Sequence, residues 1–203
     1  MRTYGDACGI ARALDVIGDR WALLVVRDLV LGGKRFTDLR AGLPKVSPDV
    51  LAQRLRELED AGLVARRRLP PPAGSQVYEL TERGRALEPV LLELGRWGSG
   101  APFPDGDITF GPDAVMLALK TMFSPAAAAG HTASYEFRFG EQWFHARVTD
   151  GALTITRGAA EAPDATIVTD PAALAAMLWH GAPSDEPALP RLRELFATAP
   201  SRS

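Results

Sequence analysis

Residues 98–107 read GSGAPFPDGD, a run of glycine, proline and short polar side chains with neither helical nor strand periodicity. Such a segment adds nothing to a packed core. It predicts two domains, over 1–100 and 111–203, joined by a linker at 101–110. The charge balance turns over across it. Residues 1–100 carry sixteen Lys and Arg against thirteen Asp and Glu, and residues 101–203 carry seven against twelve. A mildly basic first half suits an acidic partner. With 46% apolar residues, both halves of the 203-residue chain have material for a core. No apolar run approaches the roughly 18 residues of a membrane span. The N-terminus, MRTYGDACGIARALD, lacks the apolar stretch of a signal peptide. A cytoplasmic protein without a membrane partner is expected.

In the first half, SPDVLAQRLRELEDAGL at 47–63 sets Leu51, Leu55 and Leu58 on one helical face, with polar residues opposite. Ser47 is placed to cap this helix, Pro48 suits its first position, and Gly62 suits a left-handed stop. Upstream, about 7–30 predicts two helical pieces broken near Gly18, and RFTDLRAGL a short helix capped by Thr37. Downstream, LVARRRL and QVYEL predict short strands around PPPAGS, and a helix starts at Thr81. The order helix–helix–helix–strand–strand–helix is that of a winged helix-turn-helix, mainly α. There the second helix of the pair enters the DNA major groove by its N-terminal end.

Val50, Leu51, Leu55 and Leu58 then anchor the helix, leaving Ser47, Asp49, Gln53, Arg54 and Arg56 for DNA. Gln suits adenine and Arg suits guanine, since each makes two hydrogen bonds to one base edge. Arg66, Arg67 and Arg68 on the wing, with Arg35 and Lys45 near the helix ends, suit the phosphate backbone. Strand alternation would turn at least one of the three wing arginines inward or sideways. A core helix with a solvated back, or an ordinary charged strand, is the plainer reading of each feature taken alone.

ACGIARALDVIGDRWALLVVRDLVLGGKRFTDLRAGLPKVSPDVLAQRLRELEDAGLVARR, followed by YELTERGRALEPVLLELGRWG, closely resembles the HxlR family of bacterial transcription regulators over about residues 7–98. The resemblance implies a homodimer on a near-palindromic operator, with recognition helix and wing on double-stranded DNA; a transcriptional repressor is expected. It also implies that the helix after Thr81, together with the first helix, forms the dimer seam. Cys8-Gly9 stands where the family usually has Cys-Pro. Some family members resemble redox or electrophile sensors with a cysteine in this position, which makes Cys8 a candidate. As the single cysteine it excludes an intramolecular disulfide and a multi-cysteine metal site, and it can equally be an inert thiol.

The second half predicts a small α+β domain: a helix at 112–123, an antiparallel meander SYEFRF, QWFHARVT, ALTITR with a fourth strand ATIVT, and a helix from Asp170-Pro171 to about His180. Gly140-Glu141 and Asp150-Gly151 are hairpin signals. A short helix is expected at PRLRELFAT. DGALTITRG…PDATIVTDPAALAAMLWHG resembles the sterol carrier protein type 2-like domain over roughly 112–182, which implies an apolar small-molecule effector. Met116, Met122, Phe137, Phe139, Phe144, Met177 and Trp179 are the candidate lining, with Tyr135 beside them; they can equally be ordinary core. His145 and His180 are isolated. No nucleophile elbow, zinc-binding helix or phosphate loop is present, so no enzyme, cofactor or metal is expected. The rival readings are a C-terminal dimerisation or interaction module, and a lipid carrier with a vestigial DNA head.

Overall fold

The computed structural model describes residues 3–70, 74–101 and 109–196. The chain divides into two compact units, Met1–Leu91 and Leu92–Ser203. Unit 1 holds α1 (Gly9–Ile17), α2 (Ala22–Leu29), α3 (Phe36–Gly42), α4 (Pro48–Asp60), β1 (Val64–Arg68), β2 (Gln76–Leu80) and α5 (Glu82–Arg85). Helix α6 (Glu88–Ser99) begins in unit 1 and ends in unit 2. The division therefore falls inside a helix, ahead of the expected linker, of which residues 102–108 lie outside the described residues. The second half of α6 belongs with unit 2, because Arg96 Nε donates to the Thr121 carbonyl at 3.2 Å.

The core of unit 1 is built by α2, α3 and α4: Ala22, Val25, Val26, Leu39, Leu51 and Leu55 are fully enclosed. Strands β1 and β2 pair antiparallel, Val64 opposite Leu80 and Arg68 opposite Gln76. Lys34 bridges Tyr78, with Lys34 N donating to Tyr78 O at 2.9 Å and Tyr78 N to Lys34 O at 2.7 Å. This fixes the turn before α3 to the wing. Asp28 is buried, accepts from Arg27 Nε at 2.9 Å and Nη2 at 2.7 Å, and lies 3.5 Å from the buried Lys34 Nζ.

Three local expectations are corrected. Helix α3 is capped at Arg35, not Thr37, because the Asp38 carboxylate accepts from the Arg35 N–H at 3.2 Å. The helix expected from Thr81 is two helices, separated at Ala86–Leu87. Pro89 has no N–H to give to the Arg85 carbonyl four residues back, so the turn of α5 is not carried on through it, and it sits instead in the first turn of α6, where the missing N–H costs nothing. Val50 is 41% exposed and does not anchor α4; it sits on the first turn, before the apolar stripe meets the scaffold.

Unit 2 holds the rest of α6, then α7 (Pro112–Met122), β3 (Thr132–Phe139), β4 (Gln142–Thr149), β5 (Ala152–Arg157), β6 (Ala165–Val168), α8 (Pro171–Trp179) and α9 (Leu189–Leu195). The sheet order is β5-β4-β3-β6. Strands β3, β4 and β5 form the expected meander, with positive φ at Asp150 and Gly151 in the second hairpin. The fourth strand corrects the wholly antiparallel sheet: β6 runs parallel to β3, Tyr135 opposite Ala165 and Phe137 opposite Ile167. The chain leaves β5 at one edge and crosses to the other, so β6 enters in the same direction as β3. The helix at PRLRELFAT is seen as α9, its final residues lying outside the described residues.

Glu136 anchors that crossing. It is buried on β3 and accepts from Ala160 N at 2.8 Å and Arg138 Nε at 2.7 Å, while Ser134 N donates to Asp164 Oδ2 at 2.7 Å. The Ala160 N–H, supported by Arg138, holds the Glu136 carboxyl below the usual carboxylate range against the opposing cost of burial. A lowered folded pKa contributes stability above the unfolded value, lost as pH falls through the folded one. Thermal melts of the wild type therefore shift down as pH drops below about 4, and Glu136→Gln loses this part of the acid sensitivity. An identical pH slope in the two proteins contradicts that role.

Candidate nucleic-acid interface

Helix α4 is 13 residues long, with Ser47 Oγ accepting from Val50 N at 3.4 Å and Gly62 at φ +69° beyond its end. Leu51, Leu55 and Leu58 are sealed inward. Ser47, Asp49, Gln53 and Arg56 are exposed on the other side. The first-turn N–H groups of such a helix suit a phosphate oxygen. Arg56 makes no ion pair among the described residues, and the same holds for the exposed Lys45.

Arg54 is placed otherwise. Its side chain is 12% exposed and its Nη1 is ion-paired to Asp19 and to Glu57, on the flank of α4 that faces the α1–α2 junction. Gln53 stays exposed, but its amide donates to Glu57 Oε1 at 3.0 Å. Glu57 thus holds two side chains of the helix. The Arg54–Glu57 spacing of three is readable in the chain, since such pairs meet on a helix surface. The contribution of Asp19, thirty-five residues away, is not.

All three wing arginines are exposed and none is turned inward, while Val77, opposite Arg67 on β2, is buried. Arg66 lies over the Tyr78 ring at 5.2 Å and pairs with Glu59 at 2.7 Å, which raises its guanidinium pKa further. Arg67 pairs with Glu79 at 2.7 Å. Arg68 donates to the Gly74 carbonyl at 3.3 Å, beside the loop whose residues 71–73 lie outside the described residues. Arg35 is exposed at the start of α3; Lys34 beside it is buried with Asp28. The ready cations are therefore Arg35, Lys45, Arg56 and Arg68, with Arg66 and Arg67 released only by breaking surface ion pairs worth about 0–1 kcal/mol each.

The candidate effector residues of unit 2 separate into two groups. Met116, Phe137, Phe139 and Phe144 are buried core, with ring centroids 6.4 Å apart for Phe137–Phe139 and 6.0 Å for Phe139–Phe144. Met122, Met177 and Trp179 are half-buried. Trp179 Nε1 is buried without a hydrogen-bond partner among the described residues. His145 Nε2 lies 2.9 Å from Ser134 Oγ, and His131 Nε2 lies 3.4 Å from the Tyr135 hydroxyl. Cys8 is an exposed free thiol at the start of α1. Among the described residues no group of three or more His, Cys, Asp or Glu could hold a metal ion, and no helix is long and apolar enough to cross a membrane.

An apolar-anchored helix with a polar outer face, beside a two-stranded basic ribbon, defines a winged helix-turn-helix. The HxlR-like helix-turn-helix family matches residues 16–102. The HTH-type transcriptional regulator YvaP of Bacillus subtilis (strain 168) is 40% identical over 88 residues, 43% of this chain and 82% of YvaP. YodB of the same organism, also an HTH-type transcriptional regulator, is 39% identical over 85 residues, 42% of this chain and 76% of YodB. The chain belongs to the HxlR-like helix-turn-helix family. Among solved structures, the redox regulator HypR in its oxidized form is 35% identical with a TM-score of 0.45, covering 48% of this chain and all of HypR.

Proposed function

We propose that this chain is a transcriptional repressor that binds a near-palindromic operator as a homodimer, through the outer face of α4 and the wing. The observation that carries it is the polarity of α4, where three enclosed leucines hold a helix whose Ser47, Asp49, Gln53 and Arg56 are open to a major groove. Arg54 leaves the set of base readers and becomes the strut that fixes the helix to Asp19. Support for the dimer comes from apolar side chains left uncovered on two helices. Ile10 on α1 is 73% exposed, and Val90, Leu94 and Trp97 lie at helical spacing along α6, Trp97 at 81%.

Footprinting on the duplex upstream of the chain's own coding sequence tests this reading. It predicts two protected half-sites about one helical turn apart. A single protected half-site, or none, contradicts it. Trp97→Asp is expected to give a monomer in sedimentation with operator affinity lowered about a hundredfold, because two-fold binding is lost. A Trp97→Asp protein that remains dimeric removes α6 from the seam.

Unit 2 is read as the effector-responsive half, taking an apolar molecule as sterol carrier-like domains do. The half-buried Met122, Met177 and Trp179 support it, as does Trp179 Nε1, which has no partner among the described residues and suits an acceptor atom on an otherwise apolar ligand. Mass spectrometry of gently purified protein checks it; no co-purifying apolar compound and no binding of a fluorescent fatty acid would turn unit 2 into an interaction module. A sensor through Cys8 rests on the exposure of that thiol, and unchanged operator release by oxidants in Cys8→Ser removes it.

A further inference from the structure

Behind α4, within unit 1, a groove of about 720 Å³ opens between the N-terminal arm, α1 and the flank of α4. Its walls bring together Tyr4, Leu14, Asp15, Asp19, Arg54 and Glu57. Among the described residues that line it, three carboxylates stand against one guanidinium, so the groove favours a cation and disfavours an anion. The carboxylates differ in how far they are committed. Asp15 clasps the arm, accepting from Tyr4 N at 2.8 Å and Thr3 Oγ1 at 3.0 Å. Asp19 and Glu57 share Arg54, and the Asp19 carboxylate remains 64% exposed. Beside these charges stand an apolar wall and an aromatic face: Leu14 and the Tyr4 ring are both open to solvent.

We propose that this groove is an effector site for a small organic cation, a protonated amine or amidinium carried on an aromatic or short alkyl body. The cationic head takes a share of Asp19 and Glu57, as a planar amidinium does with a carboxylate. The body covers Tyr4 and Leu14, and a ring above the Tyr4 face adds stacking. A neutral molecule of the same shape leaves the carboxylates without a new partner, and an anion is repelled by them.

The site touches DNA recognition through Glu57, which holds both Gln53 and Arg54 on α4. A ligand cation that competes for Glu57 frees Gln53 and loosens the Arg54 strut. Ligand then changes operator affinity, and operator changes ligand affinity, by the same factor. Only this coupling rests on the DNA-binding reading; the binding itself does not. The groove is also separate from the apolar effector site proposed for unit 2.

Calorimetric titration of the full chain with benzamidine, benzamide and benzoate tests the site without DNA. Benzamidine is expected to bind one equivalent per chain at least about tenfold more tightly than benzamide, and benzoate not to bind. Asp19→Asn and Tyr4→Ala, both at exposed positions and checked for unchanged circular dichroism, are expected to weaken benzamidine about tenfold and several-fold respectively. Benzamidine no tighter than benzamide overturns the proposal, and so does an affinity unchanged in both variants. A groove filled by a second copy of the chain gives the first of these results. In a parallel titration, saturating benzamidine is expected to shift the operator Kd, and an unshifted Kd with binding intact overturns the coupling.

Discussion

Gly84→Ala destabilises unit 1 by about 2–3 kcal/mol, although the same change in an exposed helix would stabilise it by up to about 1 kcal/mol. The reversal comes from one close approach. Gly84 is buried in α5, and a β-carbon there would overlap the Leu63 carbonyl oxygen and stand 3.2 Å from Leu80 Cδ2. Neither side can yield cheaply. The Leu63 carbonyl accepts from Thr81 N at 3.0 Å, and Thr81 Oγ1 both accepts from Gly84 N at 3.1 Å and donates to the Gly62 carbonyl at 2.7 Å. These bonds join the end of α4 to the wing and to α5, so relieving the overlap moves α5 away from that junction. Urea unfolding of the wild type and variant reads the difference, and a variant equal to or more stable than wild type contradicts the packing.

Arg56→Ala together with Arg68→Ala is expected to lower operator affinity by about a hundredfold while leaving the unfolding free energy within about 0.5 kcal/mol of wild type. Both side chains are exposed, and neither is held in an ion pair among the described residues. Within unit 1 their loss costs only the exposed bond from Arg68 to the Gly74 carbonyl, so the expected effect falls on DNA binding rather than on stability. If Arg56 grips a guanine edge, its removal costs about 1–3 kcal/mol and relaxes choice at one base pair; an arginine on phosphate instead lowers the salt slope by about one. Arg54→Ala behaves in the opposite way: it loses the link from α4 to Asp19 and shows first in stability. An Arg54→Ala protein of full stability that fails to bind DNA would restore Arg54 as a base reader.

The leucine stripe of α4, its Ser47 cap and its Gly62 stop were legible in the chain because each depends on neighbours within a few residues. So were the strands of unit 2 and the Asp150-Gly151 hairpin. What escaped depends on distance. The pairing of Arg54 with Asp19 joins the middle of α4 to the turn between α1 and α2, far apart in sequence, and no local pattern announces it. The burial of Lys34, in the turn before α3, follows from Asp28 on α2 and from the bridge to Tyr78. The parallel entry of β6 follows from where the 158–164 crossing lands, and Glu136, which looks like one polar member of an alternating strand, is the residue that pins it. The split of the helix after Thr81 was written in Pro89, whose effect on the preceding turn outweighs the apolar stripe around it.

The outer face of α4 and the wing are proposed to read DNA. Fluorescence anisotropy of the duplex upstream of the chain's own coding sequence, set against a scrambled duplex over a salt series, tests this most directly. The wild type is expected to bind the upstream duplex at least about a thousandfold more tightly than the scrambled one, with affinity for both falling steeply with salt. Arg56→Ala with Arg68→Ala is expected to lose most of that preference and to flatten the slope. Equal affinity for the two duplexes, or a double variant that binds as the wild type does, would contradict the assignment of this surface.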